Sequence, residues 1–495
     1  MRGMKMTLLP LLAALVAANS VQAANTNESP NAPDWRAKAA ADLDAARTAI
    51  RSGHPGYIDE QNPAFRVWEA KGYEEARALL PRVNSYDGML AAVRTYIAGF
   101  EDGHLFYSSD IRKADDSVTL AGWSLEYVNG AYRVGAVLPN WPKPLPPVGA
   151  ELVSCDGVQP EQRLRQIAKY YDRRNLSNVR HALASVFTQL DMPGEELKQC
   201  SFRTAQGKML QFAQQYKAVK VADHRAMPSL RPAAQHVNAY TLQDGVLWIR
   251  ASNFAPDQAA AQQIDKIVQE LPKLEGVRAI VFDSRGNGGG NSEVGERIFN
   301  AATGGLEFDK DKLDGLPLTY EQWRVSDYSI AGMEGRAENF AVTYGRDSAN
   351  ARSVASMRDR LRQAKQAGQQ WIVMPGEPRL TRADIAARNG KLRRFSGKVV
   401  LVTDEDCVSS CLNFADLVRS VPGAIHMGQT TSADTAYIEI TWIGLPSGNH
   451  LMLPMKVWRN HLRGNNEALR PDVPLAVDIR DDAAVRKAVL AALPQ

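Results

Sequence analysis

From Tyr240 onward, short apolar strands alternate with helices. VLWIRASNF, VRAIVFD, GKVVLVTD and AIHMG read as strands, and AAAQQIDKIVQEL, SEVGERIFNAA and SSCLNFADLVRSV as the helices between them. Strands separated by helices cannot pair as hairpins. They pair in parallel and are covered by their helices, which is an α/β layer. Residues 239–495 are therefore expected to form an α/β core. Residues 303–395 break the alternation, are rich in Arg, Gln and Ala, and are expected to form a mostly helical insertion over one face.

The chain of 495 residues has room for about three domains. Residues 24–116 carry apolar positions at three- and four-residue intervals, so they read as a helical N-terminal region. Residues 117–220 change character. WSLEYVNGAYRVGAV places two alternating runs around Asn129-Gly130, a strong hairpin signal, and GAELVSCDGV and KQCSFRTAQGKMLQFAQQY add further strands around one helical stretch. This is expected to be a small β-rich module, followed by a linker over residues 221–238.

The first 23 residues read as a cleavable export signal. Arg2 and Lys5 precede an apolar run over residues 8–18, and Val21-Gln22-Ala23 is a small-x-small cleavage pattern. The run is too short to span a bilayer, and no Cys follows it for lipid attachment. The expected location is periplasmic or secreted. In an oxidising compartment the four cysteines are expected to pair. Proximity favours Cys407 with Cys411 and Cys155 with Cys200, with four free thiols as the alternative. Lys and Arg total 59 against 55 Asp and Glu, for a net charge of +4. So small a bias argues against nucleic acid as a partner.

Three loop segments carry chemistry. Asp283-Ser284-Arg285-Gly286-Asn287-Gly288-Gly289-Gly290-Asn291 lies between a strand and a helix. Its exposed N–H groups suit an anion or oxyanion. It is not a dinucleotide fingerprint, because the third glycine position is Asn291, and no Gly-Lys-Ser/Thr follows for a phosphate loop. Asp406-Cys407-Val408-Ser409-Ser410-Cys411 puts two serines at a helix start, where a hydroxyl acts either as a cap or as a nucleophile. His104, in the turn Asp102-Gly103-His104, is the histidine best placed to serve as a base. No zinc-type motif occurs, and no metal or organic cofactor is expected.

In this order the features resemble the C-terminal-processing (tail-specific) serine peptidase family, which includes the tricorn core protease. The resemblance spans nearly the whole chain after the signal. It rests on Asp102-Gly103-His104, the module, the Asp283-to-Gly290 loop, Thr403-Asp404-Glu405-Asp406-Cys407-Val408-Ser409-Ser410, Gly428-Gln429-Thr430-Thr431, and Arg470-Pro471-Asp472. It implies a PDZ-like fold for the module and a ClpP/crotonase-like core. It also implies cleavage of peptide or unfolded-protein substrates without a cofactor. Ser409 would be the nucleophile, with Ser410 one place away, and the N–H groups of Gly288, Gly289, Gly290 and Ser410 would form the oxyanion hole. The Lys of the Ser-Lys branch is absent, its place falling near Asp434. The chain is thus nearer the tricorn-like Ser-His branch, with His104 as base. Glu467, four residues before Pro471, matches the orienting acid, and Asp434 is its rival. The alternative is a catalytically inactive peptide- or ligand-binding protein on the same scaffold.

Overall fold

The structure is a computed structural model that describes residues 33–493 except 129, 231–235, 305–318, 375–394, 396, 422 and 462. The expected signal at 1–23 lies outside the described residues. Among the described residues no helix is long and apolar enough to cross a membrane.

Six strands form the central sheet in the order Val473–Pro474, Ile425–Gly428, Lys398–Thr403, Ala279–Asp283, Val246–Ala251, Asn238–Gln243. All neighbours are parallel except the last pair. Successive residues of a strand face opposite ways, so the two faces fill separately. Ile280, Phe282, Val399 and Leu401 pack against Ile298, Phe299, Phe414 and Val418 of the helices Ser292–Thr303 and Ser410–Arg419. Val281, Val400 and Val402 pack the other way, against Ile479, Val485 and Val489 at the C-terminal helix Asp482–Ala492. The near-continuous apolar runs of the sequence thus become strands buried on both faces.

Ahead of the core, helices Trp35–Gly53, Pro63–Leu79 and Tyr86–Ala98 build the N-terminal region. They pack on a second sheet formed by Phe106–Tyr107, Tyr437–Gly444, His450–Arg459, Tyr320–Arg324 and Trp371–Met374. The last two strands belong to the segment expected to be a helical insertion. It does contain the helices Asp327–Tyr344 and Ala349–Gln366, but it also adds two antiparallel strands beside His450–Arg459. Strand Tyr320–Arg324 has one buried apolar residue, Trp323, among polar ones, and Trp371–Met374 is a four-residue apolar run, and segments this short carry little periodicity.

Between these parts, strands Trp123–Val128, Ala131–Val137, Glu151–Cys155, Gln199–Arg203 and Met209–Ala213 form a five-stranded antiparallel sheet. Strands Ser117–Leu120 and Lys217–Lys220 pair at its base. Cys155 and Cys200 face each other across adjacent strands and are bonded, as are Cys407 and Cys411.

One buried ion pair ties the N-terminal helices to the second sheet. Both arms of Arg459 reach Asp59, at 2.8 and 3.0 Å, and the Tyr437 hydroxyl donates to the same carboxylate at 2.8 Å. Breaking a buried pair from one side strands the other charge, at a cost of about 3–5 kcal/mol. Asp59→Ala is therefore expected to lower the unfolding free energy by about that much in denaturant titrations.

A second expectation concerns pH. Burial, with help from the charge of Arg419, pushes the His426 imidazole down to about 4 from 6.5. Between those values the unfolded chain binds a proton that the folded chain rejects, so stability drops as pH falls from 6.5 towards 4. In His426→Gln the loss of unfolding free energy between neutral and mildly acid pH should shrink by about 2 kcal/mol, read from urea melts across that range.

Candidate active site

The parallel strands end at the same edge of the sheet, where Asp283 is level with Val402 and Thr403 with Gly428. Loops leaving the carboxyl ends of such strands are where α/β sheets carry their ligand sites. Two of the three segments singled out in the sequence emerge here.

The glycine loop is held from below. Asp283 is fully buried and is clasped by Arg285, whose Nε and Nη2 donate at 2.8 and 2.6 Å, with Arg250 at 3.2 Å. Gly286, at φ 76°, donates its N–H to Asp404 at 2.9–3.0 Å. Burial, with the charge of Asp406 adding to it, pushes the Asp404 carboxyl up to about 6. Asn287 donates through its side chain to the Ala251 carbonyl at 2.8 Å and accepts the Gly289 N–H at 2.9 Å. The Gly289 N–H is therefore engaged, which corrects its place among the expected oxyanion donors. The N–H groups of Gly288 and Ser410 have no acceptor among the described residues.

Ser409 caps the helix Ser410–Arg419 with φ 56° and ψ −124°. A side-chain-bearing residue is rarely found there, and holding one costs about 1–3 kcal/mol. The glycine loop presses directly on this turn. A Cβ added to Gly289 would lie 2.8 Å from Ser409 Cβ, 2.8 Å from the Val408 carbonyl and 3.2 Å from Ser410 N. Gly289 also sits at φ 89°, so only glycine fits there without strain. The two serines are now distinguishable. Ser410 donates its hydroxyl to the Gly290 carbonyl at 2.6 Å and is buried. The Ser409 hydroxyl is half-buried and has no hydrogen-bond partner among the described residues. The Cys407–Cys411 disulfide brackets it.

His104 comes from the N-terminal region and meets the loop that follows strand Ile425–Gly428. Its Nδ1 lies 2.9 Å from the Tyr437 carbonyl and 3.2 Å from Asp434 Oδ1. A carbonyl can only accept, so Nδ1 carries the hydrogen and Nε2 is left with its lone pair. Beneath it, Asp102 accepts the His104 backbone N–H at 2.9 Å, the Thr435 hydroxyl at 2.8 Å and His54 Nε2 at 3.0 Å. The His54 tautomer is likewise fixed, because its Nδ1 accepts the Gly56 N–H. Burial pushes Asp102 upward, but His54 and His104 outweigh it and hold the carboxyl below its usual range. Asp434 goes the other way, raised by burial against the pull of His104.

Among the described residues no hydrogen bond or ion pair joins Glu467 to the His104 ring. Glu467 is exposed, accepts the Gly464 N–H at 2.8 Å and lines a cleft of about 590 Å³ with Ser177, Arg419, Thr431 and Arg470. Asp434, the rival, is the carboxylate in contact with His104. Glu467 was matched by its distance from Pro471, and sequence distance says nothing of which way a loop turns. No hydrogen bond joins the Ser409 hydroxyl to His104 Nε2 among the described residues. His54, Asp102 and Thr435 were missed as supports of His104. The one signal for them was Asp102 two residues ahead of the histidine, the spacing of a side chain that caps its own turn. Among the described residues no group of three or more His, Cys, Asp or Glu could hold a metal ion.

Residues 245–475 match the model of peptidase family S41. That span contains the glycine loop, Ser409, Asp434 and Glu467, while His104 lies outside it. No curated protein matches the sequence. Among solved structures, the chain is similar to mature CPAF, at 12% identity over 92% of this chain and 96% of that one, with a TM-score of 0.56. It is also similar to mature CPAF complexed with lactacystin, at 13% identity over 92% and 98%, with a TM-score of 0.57. At such identity these structures speak for the fold alone. The family match goes further: over residues 245–475 the chain is similar to peptidase family S41, and it is a serine-type peptidase.

Proposed function

We propose that the chain is an exported serine peptidase that cleaves peptide or unfolded-protein substrates, with Ser409 as nucleophile, His104 as base and Asp434 as orienting carboxylate. The observation that carries this reading is the Ser409 turn, a serine at positive φ pressed against a glycine loop that leaves N–H groups free. A hydroxyl presented at a strained strand-to-helix turn beside exposed N–H groups is the geometry of acyl transfer.

The proton path follows from the tautomer. Nδ1–H of His104 is held by the Tyr437 carbonyl and Asp434, so Nε2 accepts the Ser409 proton as the hydroxyl attacks the scissile carbonyl. The oxyanion then forms beside the Gly288 and Ser410 N–H groups. His104 returns the proton to the leaving amine, and a water activated by the same nitrogen hydrolyses the acyl-enzyme. In the free protein the hydroxyl and Nε2 are not hydrogen-bonded, and bound substrate must bring them together, as is common for catalytic bonds. Export is supported by the N-terminal pattern and by two disulfides, which persist in oxidising compartments.

A fluorophosphonate probe should label the wild type, and Ser409→Ala should abolish labelling. His104→Ala should slow labelling by about 10²-fold or more. Asp434→Asn should lower kcat by about 10²–10⁴-fold, while Glu467→Gln stays within about threefold of wild type. Equal labelling of wild type and Ser409→Ala would favour the inactive binding scaffold, and the reverse ranking of the two carboxylates would return the orienting role to Glu467.

A further inference from the structure

Three consecutive acidic residues lead from the strand Lys398–Thr403 into the Ser409 turn, and each is anchored to a different part of the molecule. Asp404 accepts the Gly286 N–H of the glycine loop. Asp406 is paired with Arg480, just before the C-terminal helix. Glu405 reaches the β-rich module. Its side chain is 3% exposed, accepts the Ser177 hydroxyl at 2.6 Å, and has its other oxygen in ion-pair contact with His181 Nδ1. Ser177 and His181 stand one turn apart on the helix Ser177–Ser185, so both face the same carboxylate.

His181 is itself fixed to the module sheet. Its Nε2 lies 2.7 Å from the Tyr127 carbonyl of strand Trp123–Val128, so that nitrogen carries a hydrogen. Thr188, just past the helix, donates to the Trp123 carbonyl of the same strand at 2.6 Å. Two outward carbonyls of that strand are thus engaged by the module's own side chains. The module sheet, His181 and Glu405 form one continuous path to the turn that bears Ser409.

We propose that Glu405, gripped by Ser177 and His181, is a positioning residue that holds turn 404–410 in its strained conformation and so aims the Ser409 hydroxyl at the cleft. The proposal rests on Ser409 being the nucleophile. A residue held at φ 56° relaxes unless its surroundings over-determine it. A buried carboxylate with two partners on one helix does this better than an exposed side chain, because releasing it would leave a desolvated charge unpaired.

The test compares Glu405→Ala, Glu405→Gln and Ser177→Ala in the full chain. Two readouts are taken: turnover of an unstructured polypeptide, and hydrogen exchange of the peptide covering residues 404–412. Glu405→Ala should lower kcat by about 10–100-fold with KM within about twofold, and should speed exchange in that peptide. Glu405→Gln should restore kcat to within a few-fold, because its amide oxygen still accepts from Ser177 and its N–H can face a neutral His181 Nδ1. Ser177→Ala, which removes one bond only, should fall between them. Unchanged exchange in Glu405→Ala would overturn the grip. Faster exchange with unchanged kcat would overturn its positioning role, as would a Glu405→Gln variant as slow as Glu405→Ala. If Ser409→Ala retains turnover, the nucleophile assignment fails, while the exchange readout still decides whether Glu405 holds the turn.

Discussion

The contact between Gly289 and the Ser409 turn is the constraint on which the site depends. It brings together two loops from neighbouring parallel strands that are more than one hundred residues apart in sequence, and it tolerates no side chain at Gly289. Its support is electrostatic as well as steric. Asp283 and Arg285 lock the base of one loop, and Asp404 spans to it from the other by accepting the Gly286 N–H. The N–H groups of Gly288 and Ser410 beside this contact have no acceptor among the described residues.

The histidine side is built differently. The Ser409 turn is attached to the central sheet, whereas His104 belongs to the N-terminal region and is tied to the loop carrying Asp434 and Thr435. The tie is a buried carboxylate, Asp102, which accepts from three donors at once. Ser409 and His104 are therefore held by separate sets of contacts, the glycine loop for one and the Asp102 cluster for the other.

The parts legible in the sequence were those in which local pattern and long-range packing agree. The strands around Ile280 and Val400 are apolar on both faces, so a parallel, covered sheet follows from composition alone. The Asp283-to-Gly290 loop is visible because a run of glycines between a strand and a helix marks backbone that takes positive φ and is closely approached. The supports of His104 were not legible. His54 lies 48 residues upstream of Asp102, and Thr435 lies 333 residues downstream. A contact of that span leaves no periodicity. That His104 contacts Asp434 and not Glu467 among the described residues has the same cause, since both are carboxylates on loops after Ser409 and only the path of the chain separates them. The strands at Tyr320 and Trp371 were hidden by the helices between them.

Those two strands give the segment 303–395 a standing that its sequence concealed. Tyr320–Arg324 hydrogen-bonds along His450–Arg459, the strand whose Arg459 secures Asp59. Excising the segment as though it were a dispensable surface loop would strip that strand of a neighbour and bare its backbone amides and carbonyls beside the anchor of the helical region. Shortened forms of this protein have to preserve both ribbons and the two helices between them, whose Met333, Leu361 and Ala364 pack on Trp323 and Ile372.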